Sequence, residues 1–178
     1  MSLDEHKKEA PKRVNCKVIT VSDTRTPETD KSGQLMMSLL KEHGYSVIDY
    51  DIVKDEEAFI RAAIVTGTER SDVDVVLTNG GTGIAKRDVT IETVAKLLDK
   101  EIVGFGELFR MLSYTEDIGS AAILSRAIAG VSNDTAIFST PGSTGAVKLA
   151  MSKLILPELG HVVKEIKKDI YRSNHSSD

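Results

Sequence analysis

A short β-branched apolar run at residues 75–78 (VVLT) stops at a loop that is nearly all glycine, residues 79–83 (NGGTG). An acid, Asp88, follows just before Thr90, where a helix is predicted to start. Backbone without side chains lets an anionic group approach the N–H groups closely, and a nearby acid offers an oxygen ligand to a bridging metal ion. The stretch therefore predicts a strand, a loop that binds a phosphorylated ligand, and a helix. A tight strand-to-helix turn without a ligand is the alternative interpretation.

Apolar runs alternate with amphipathic stretches along most of the chain. We predict strands at residues 14–21, 45–53, 73–78 and 135–139. We predict helices between Asp30 and Gly44, from Asp55, at residues 90–100, 104–114 and 120–129, and from 143 to about 171 with a kink or break at Pro157. Strands that alternate with helices form βαβ units, so the sequence predicts a three-layer α/β/α fold with a mostly parallel sheet. Residues 14–171 form one domain in this prediction, and residues 1–13 and 172–178 are loose tails.

Three loops of small polar residues follow predicted strands, at residues 22–25 (SDTR), 79–83 (NGGTG) and 140–144 (TPGST). Right-handed crossovers place the carboxyl ends of parallel strands at one edge of the sheet, where ligands bind in such folds. We therefore expect the three loops to meet and form a ligand site. The loop residues predicted to contact the ligand are Ser22, Asp23, Gly80, Gly81, Thr82, Gly83, Pro141, Gly142 and Ser143. A helix N-cap is the alternative role of Ser143.

The composition limits the partners and the compartment. The formal net charge of −4 and the absence of Trp argue against a nucleic-acid partner. The single cysteine, Cys16, excludes an internal disulfide and a multi-cysteine metal site. No apolar run of about 18 residues exists, and the charged N-terminus lacks the apolar core of a signal peptide, so we predict a cytoplasmic protein without a membrane span.

Several separate stretches, in matching order and spacing, resemble one known family. They are TNGGTGIAKRDVTIET, GFGELFRMLS, ILSRAIAG and STPGST, together with the first segment VSDTRTPETDKSG. They are similar to the molybdopterin-binding fold shared by the MoaB and Mog proteins of molybdenum cofactor biosynthesis and the G domains of plant and animal molybdenum-cofactor proteins. The resemblance covers about Cys16 to Leu159. The stretch FRMLSYTEDIGSAAILSRAIAGVSN and the PGST run look closer to MoaB than to Mog.

This resemblance implies a ligand and a reaction. The ligand of the family is molybdopterin, a pterin with a dithiolene and a terminal phosphate, and the characteristic reaction transfers an adenylyl group from ATP to that phosphate. By resemblance, Asp55 and Asp88 are the catalytic acids and the ligands of Mg²⁺. The residues alone leave other roles open, a helix N-cap for Asp55 and support of the helix start near Thr90 for Asp88.

The resemblance adds three residues to the expected ligand site, Glu107, Ser113 and Arg126. Arg126 is expected to pair with an anion of the ligand. The alternative for Glu107 is an exposed ion pair with Arg110, three residues further along the same helix. The family also implies a homotrimer or a homohexamer.

Three functions compete at this point. The first is an Mg²⁺-dependent molybdopterin adenylyltransferase, and the second is a protein that binds molybdopterin or its precursor without adenylylating it, since some MoaB members are reported to lack the activity. The third is a dehydrogenase with a dinucleotide-binding fold. It fails because the expected G-x-G-x-x-G should follow the first strand, where this chain has SDTRT.

Overall fold

The chain forms one six-stranded sheet with the strand order β2-β1-β3-β6-β5-β4. A computed structural model describes residues 13–175, with the side chains of residues 13–170. The strands are β1 (Asn15–Val21), β2 (Ser46–Val53), β3 (Val75–Asn79), β4 (Lys100–Glu101), β5 (Ile128–Ser132) and β6 (Thr135–Thr140). Pairing is parallel from β2 through β1 and β3 to β6, and antiparallel from β6 to β5 and from β5 to β4.

Helices cover both faces of this sheet. They are α1 (Lys31–Glu42), α2 (Glu57–Thr68), α3 (Thr90–Leu97), α4 (Val103–Leu112), α5 (Thr144–Ala150) and α6 (Leu156–His175). A π-helical turn (Ser113–Asp117) and a 3₁₀ helix (Gly119–Leu124) follow α4, and a second π-helical turn (Met151–Ile155) joins α5 to α6. None of the helices in the described part of the chain is long and apolar enough to cross a membrane.

Alternating side chains of the central strands build two separate cores. Val18, Leu77 and Phe138 face one layer, where they pack with residues of α1, α4, α5 and α6. Their neighbours along the strands face the other layer, formed by α2 and α3. Strands buried on both faces are mostly apolar, which is the pattern of β1, β3 and β6, and the one buried lysine of β1, Lys17, pairs with Asp49 and Asp51 of β2. The predicted three-layer α/β/α fold with a mostly parallel sheet is confirmed.

The start and end of α1 follow the predicted local chemistry. The carboxylate of Asp30 accepts a hydrogen bond from the Gly33 N–H at 3.0 Å and so caps the helix. Gly44, just after the helix, has a φ of 82°, a conformation that glycine adopts without a steric penalty. Both signals therefore mark the ends that the sequence predicted.

The segment 120–129 was predicted to be helical, and this prediction is wrong for its second half. The 3₁₀ helix ends at Leu124, and β5 begins at Ile128. The turn between β5 and β6 consists of Asn133 and Asp134, whose φ angles are 50° and 60°. Two such residues form the hairpin turn whose twist matches that of paired antiparallel strands, so this turn determines the pairing of β5 with β6.

Two further boundaries differ from the prediction. The helix predicted at residues 90–100 ends at Leu97 and is followed by the edge strand β4. The last helix breaks at the π-helical turn directly before Pro157, as expected for a residue that lacks an N–H, and then continues to His175. Residues 172–175 are thus helical, whereas the predicted loose tails at residues 1–12 and 176–178 lie outside the described residues.

Candidate functional site

The three loops that follow β1, β3 and β6 meet at the carboxyl edge of the sheet, as predicted. Between them lies an open pocket of about 530 Å³. Eight of the predicted site residues line it: Ser22, Gly80, Gly81, Thr82, Gly83, Asp88, Pro141 and Gly142. One wall is apolar and comes from the π-helical turn and the 3₁₀ helix after α4, through Ile118, Ala121 and Leu124. The pocket thus combines a glycine-lined floor with an aliphatic wall, while contact of these residues with a ligand stays a prediction.

Residues Gly80 to Gly83 form the floor of the pocket, and the first two positions do not accommodate a side chain. Gly80 and Gly81 have φ angles of 98° and 66°. A Cβ on Gly80 would lie 2.3 Å from the Val21 carbonyl oxygen, and one on Gly81 would lie 2.2 Å from Thr90 Oγ1. The fold itself therefore requires glycine here. The same feature leaves the backbone bare toward the pocket, so the turn and the ligand site are compatible roles.

Arg126 holds this glycine loop through hydrogen bonds to its backbone. Its Nε donates to the Thr82 carbonyl oxygen at 3.0 Å, and its Nη2 donates to the Gly83 carbonyl oxygen at 2.7 Å. Its Nη1 pairs with the Glu92 carboxylate, and this hydrogen bond holds the pKa of Glu92 below its usual value. The sequence predicted an anion partner, but all three guanidinium nitrogens bind protein acceptors. Arg126 therefore positions the loop, while its pairing with an anion of the ligand stays a prediction.

Asp55 is not the helix N-cap that its alternative interpretation suggested, whereas Asp88 does support the start of α3. The Asp88 carboxylate accepts the Ala85 N–H at 2.9 Å and closes the turn before α3, whose N-cap is Val89. The N-cap of α2 is Glu56, which makes no capping hydrogen bond through its side chain. Asp88 therefore supports the start of α3 through its turn, and Asp55 has a hydrogen bond with the backbone of Val89 at the same helix start, while the start of α2 does not account for Asp55.

Two polar atoms beside Gly81 lack a partner. Asp55 Oδ1 and Thr90 Oγ1 are buried, and neither has a hydrogen-bond partner among the described residues. A Cβ on Gly81 would lie 2.9 Å from Asp55 Oδ1 and 2.2 Å from Thr90 Oγ1, so both atoms point at the glycine floor. A buried oxygen without a partner costs about 1–3 kcal/mol. Such a pair fits a site that a cation, a water molecule or a ligand completes.

The charges around Asp55 also favour a bound cation, because two further carboxylates lie near its own. Burial first, and then the charge of Asp88, raise the pKa of Asp55 above its usual value, and the charge of Asp23 adds to this. Asp23 accepts the Asp55 N–H at 3.2 Å and forms an ion pair with Arg87 at 2.7 Å. Three carboxylates in close range repel one another, and a divalent cation relieves this repulsion.

The carboxylates do not form a complete metal cage. Within residues 13–170, no group of three or more His, Cys, Asp and Glu side chains has an arrangement that holds a metal ion. Mg²⁺ usually takes one or two carboxylates and obtains its other ligands from phosphates and water. The donor set of Asp55 and Asp88, with the unpartnered oxygen of Asp55, fits Mg²⁺ that arrives with a phosphorylated ligand.

Arg25 is a pocket residue that the sequence interpretation missed. Its Nη2 donates to the Gly142 carbonyl oxygen at 2.8 Å. Its Nη1 lies 3.3 Å from Asp30 Oδ1 and 3.4 Å from Asn79 Oδ1, and also contacts Ser32. An arginine directly after the first strand was the available signal. Its partners lie at the end of β3, on the loop after β6 and at the start of α1, and the sequence alone does not bring them together.

Asp30, which pairs with Arg25, is fully buried and accepts several hydrogen bonds. Its Oδ2 accepts from the hydroxyls of Thr20 at 2.6 Å and Tyr50 at 2.5 Å. Burial alone raises the pKa of Asp30, but these hydroxyls, the Gly33 N–H and the charge of Arg25 together lower it below its usual value. Asp30 is therefore ionised at neutral pH and anchors the guanidinium.

This lowered pKa predicts a pH dependence of stability. Because the folded-state pKa of Asp30 lies below the unfolded-state value, its contribution is complete above the unfolded pKa and is lost as the pH falls through the folded pKa. We expect Asp30→Asn to lower the free energy of unfolding by about 2 kcal/mol at pH 7, since charge-assisted hydrogen bonds become neutral ones. Urea unfolding at pH 7 and below pH 4 tests this. A deficit that stays constant at acidic pH would contradict it.

The remaining predicted residues lie outside the pocket lining. Glu107 is exposed on α4, and Ser113 is buried where α4 passes into its π-helical turn. Ser143 is the N-cap of α5 and accepts the Ala146 N–H at 3.2 Å, so its role as a cap is observed, while a contact with a ligand phosphate is compatible with it and stays a prediction. The structure does not bring these three residues to the pocket.

Comparison with known proteins gives one consistent result. The family described as a probable molybdopterin binding domain matches residues 17–161. A protein of Bacillus cereus named molybdenum cofactor biosynthesis protein B is 67% identical over 166 residues, which cover 93% of this chain and 98% of that protein.

Two solved structures share the fold. One, a molybdenum cofactor biosynthesis protein B, is 66% identical with a TM-score of 0.87, over 90% of this chain and 99% of that one. The other, described as the tungsten cofactor synthesizing protein MoaB of Pyrococcus furiosus, is 40% identical with a TM-score of 0.78, over 88% and 99% of the two chains. The resemblance seen in the sequence motifs is thereby confirmed.

Proposed function

The chain belongs to the MoaB-like proteins of molybdenum cofactor biosynthesis, which carry a probable molybdopterin binding domain, and from this membership we propose that it binds molybdopterin and adenylylates it with ATP and Mg²⁺. The observation that carries the proposal is the group of atoms beside the glycine floor. Asp55 Oδ1 and Thr90 Oγ1 are buried without a partner among the described residues, and Asp88 lines the pocket next to them.

The reaction joins two anionic groups, so their repulsion is the main obstacle. An oxygen of the pterin phosphate attacks the α-phosphorus of ATP, a new P–O bond forms, the bond to the β-phosphate breaks, and pyrophosphate leaves. A phosphate monoester is largely ionised at pH 7. The nucleophile therefore needs no general base, which agrees with a described pocket lining that contains no histidine.

The residues of the chain supply position and charge. Asp55 and Asp88 would hold Mg²⁺, which when bound supplies positive charge to screen the two phosphates. The Gly80 N–H donates to the Thr140 carbonyl oxygen at 3.1 Å, so the N–H groups at fixed positions that the bare backbone offers are those of Gly81 to Gly83, and Arg126 keeps that backbone in place. The apolar wall of Ile118, Ala121 and Leu124 offers a flat surface to a ring and excludes water from one side of the pocket.

A binding protein without catalysis is the second candidate. It is favoured by the structural role of the Asp88 carboxylate, which already accepts the Ala85 N–H at 2.9 Å and closes the turn before α3. Incubation of the pure protein with ATP, Mg²⁺ and molybdopterin separates the two functions. Adenylylated pterin and pyrophosphate, abolished by a chelator, support the enzyme. Pterin binding without either product supports the second candidate.

We further propose that the protein assembles into a homotrimer or a homohexamer. An apolar face on α4 and the segments that follow it is open to solvent, with exposed fractions of 52% for Met111, 61% for Tyr114 and 83% for Ile123. Several large apolar side chains that are exposed on neighbouring segments are typical of an interaction site. We expect light scattering at micromolar concentration to give a mass of three or six chains.

A pair of variants tests that interface. Ile123→Glu should lower the mass toward that of one chain, because a carboxylate would be buried at the contact. Phe59→Glu is the matched control, since Phe59 is also exposed, at 49%, but lies on α2 in the opposite layer. A wild-type protein that is monomeric throughout would contradict the assembly. The cytoplasmic location and the absence of a nucleic-acid partner stay predictions.

A further inference from the structure

Arg25 lies between two adjoining cavities. It lines the pocket between the loops after β1, β3 and β6, which we call the three-loop pocket. It also lines a neighbouring cavity of about 490 Å³ beside β2, to which Tyr50 and Lys54 contribute. Of the residues that line the three-loop pocket, it is the only one with a positive charge. A reaction that joins two phosphorylated ligands needs their phosphates to meet between two binding sites, and Arg25 occupies such a position.

The guanidinium is held rigidly by groups that do not consume all its donors. Its two terminal nitrogens bind Gly142, Asp30, Asn79 and Ser32, while its side chain is 30% exposed. Arginine has five N–H donors. The Nε–H and one hydrogen of Nη2 have no acceptor among the described residues, so they remain available to a ligand.

Charge is separated along the glycine floor. A Cβ on Gly142 would lie 3.1 Å from the Gly80 Cα and 3.7 Å from Arg25 Nη2, whereas one on Gly83 would lie 2.5 Å from Asp88 Oδ2. The Gly80 end of the floor is therefore next to the cation, and the Gly83 end is next to the acid. An anionic group without a metal is stabilised at the first end, and a metal-bound anion is stabilised at the second.

We propose that Arg25 is a substrate-binding residue that holds the phosphate monoester of the pterin ligand through its free Nε–H and Nη2–H. The adjacent donors of a guanidinium match two oxygens of a phosphate. Asp30 and Asn79, both fully buried, set the orientation of the guanidinium before the ligand arrives. The inference rests on the proposed function, because it assigns one part of the same ligand.

Two ligands and three variants test the assignment. Dissociation constants are measured by titration calorimetry for molybdopterin and for its dephosphorylated form. We expect the wild-type protein to prefer the phosphorylated form by about 10–100-fold, the range of hydrogen bonds to a charged group. Arg25→Gln should bind both forms with the affinity that the wild type shows for the dephosphorylated one. Arg25→Lys, which keeps the charge but not the paired donors, should retain part of the preference.

The matched control is Arg70→Gln. The Arg70 side chain is 36% exposed and pairs with acids, as that of Arg25 does, but it does not line the three-loop pocket. It should keep the full preference for the phosphorylated form. Equal affinity of the wild type for both forms, or an unchanged preference in a folded Arg25→Gln, would overturn the inference while the proposed function stands. An equal loss for both ligands would make Arg25 purely structural. No binding of either ligand by the wild type would overturn both proposals.

Discussion

Asp88→Asn should lower the rate of adenylyl transfer by about 100-fold or more, which is on the order of 3 kcal/mol in the activation barrier. In the wild-type protein the Ala85 nitrogen lies 2.9 Å from Asp88 Oδ2. Asn keeps the size of the side chain and an oxygen that accepts this N–H. It removes the negative charge that Mg²⁺ prefers. Folding and pterin binding should therefore stay close to wild type, measured by thermal unfolding and by titration, while the transfer rate falls.

Asp99→Asn serves as its matched control. Asp99 also accepts one backbone N–H, that of Asn133 at 2.8 Å, and it does not line the three-loop pocket. The control should leave the transfer rate unchanged. If the wild type is active and Asp88→Asn is equally active, Asp88 only closes its turn, and the metal ligand must be Asp55 or another acid. If the wild type transfers nothing under any metal condition, the binding-protein function is the correct one.

Gly81→Val should abolish molybdopterin binding and also destabilise the fold. The φ of 66° is unfavourable for a β-branched residue, and its Cβ would lie 2.2 Å from Thr90 Oγ1. Strain and overpacking together cost about 2–5 kcal/mol, which lowers Tm by about 10 °C. Calorimetric titration with molybdopterin and a thermal melt measure the two effects.

Gly44→Val separates strain from steric overlap. Gly44 has a φ of 82°, yet a Cβ there would meet nothing within 4 Å. This control should lose about 1–2 kcal/mol of stability and none of its affinity for the pterin. Wild-type affinity in a folded Gly81→Val would exclude the glycine loop from the binding site.

Local sequence patterns were sufficient for the central part of the fold. The apolar runs of β1, β3 and β6 are buried on both faces, and chain chirality then determines which loops share an edge. Helix α1 was predictable because its cap, Asp30, and its terminating glycine, Gly44, act within a few residues of the helix ends. These features depend on short-range chemistry, which a single sequence displays directly.

The errors involve contacts between distant segments. β5 has no clear polar alternation and is stabilised as a strand by its pairing with β6 and by the turn at Asn133 and Asp134. The role of Arg126 in holding the glycine loop was not predicted, because its acceptors Thr82 and Gly83 are more than 40 residues away in the chain. The burial of the Ser113 side chain was also not predictable, because nothing in the local sequence indicates it, and its contact with a ligand stays a prediction.

The pairing of β3 with β6 has a consequence for synthesis of the chain on the ribosome. Val75 of β3 pairs with Ala136 of β6, and Asn79 pairs with Thr140, so each pair is separated by 61 residues. At roughly 5–20 residues per second, translation leaves this edge of β3 without its partner for about 3–12 s. During that time the nascent chain presents an apolar strand with an unpaired edge, the feature that promotes aggregation. The pocket itself forms only after β6 has left the ribosome, because the loops after β3 and β6 both contribute to it.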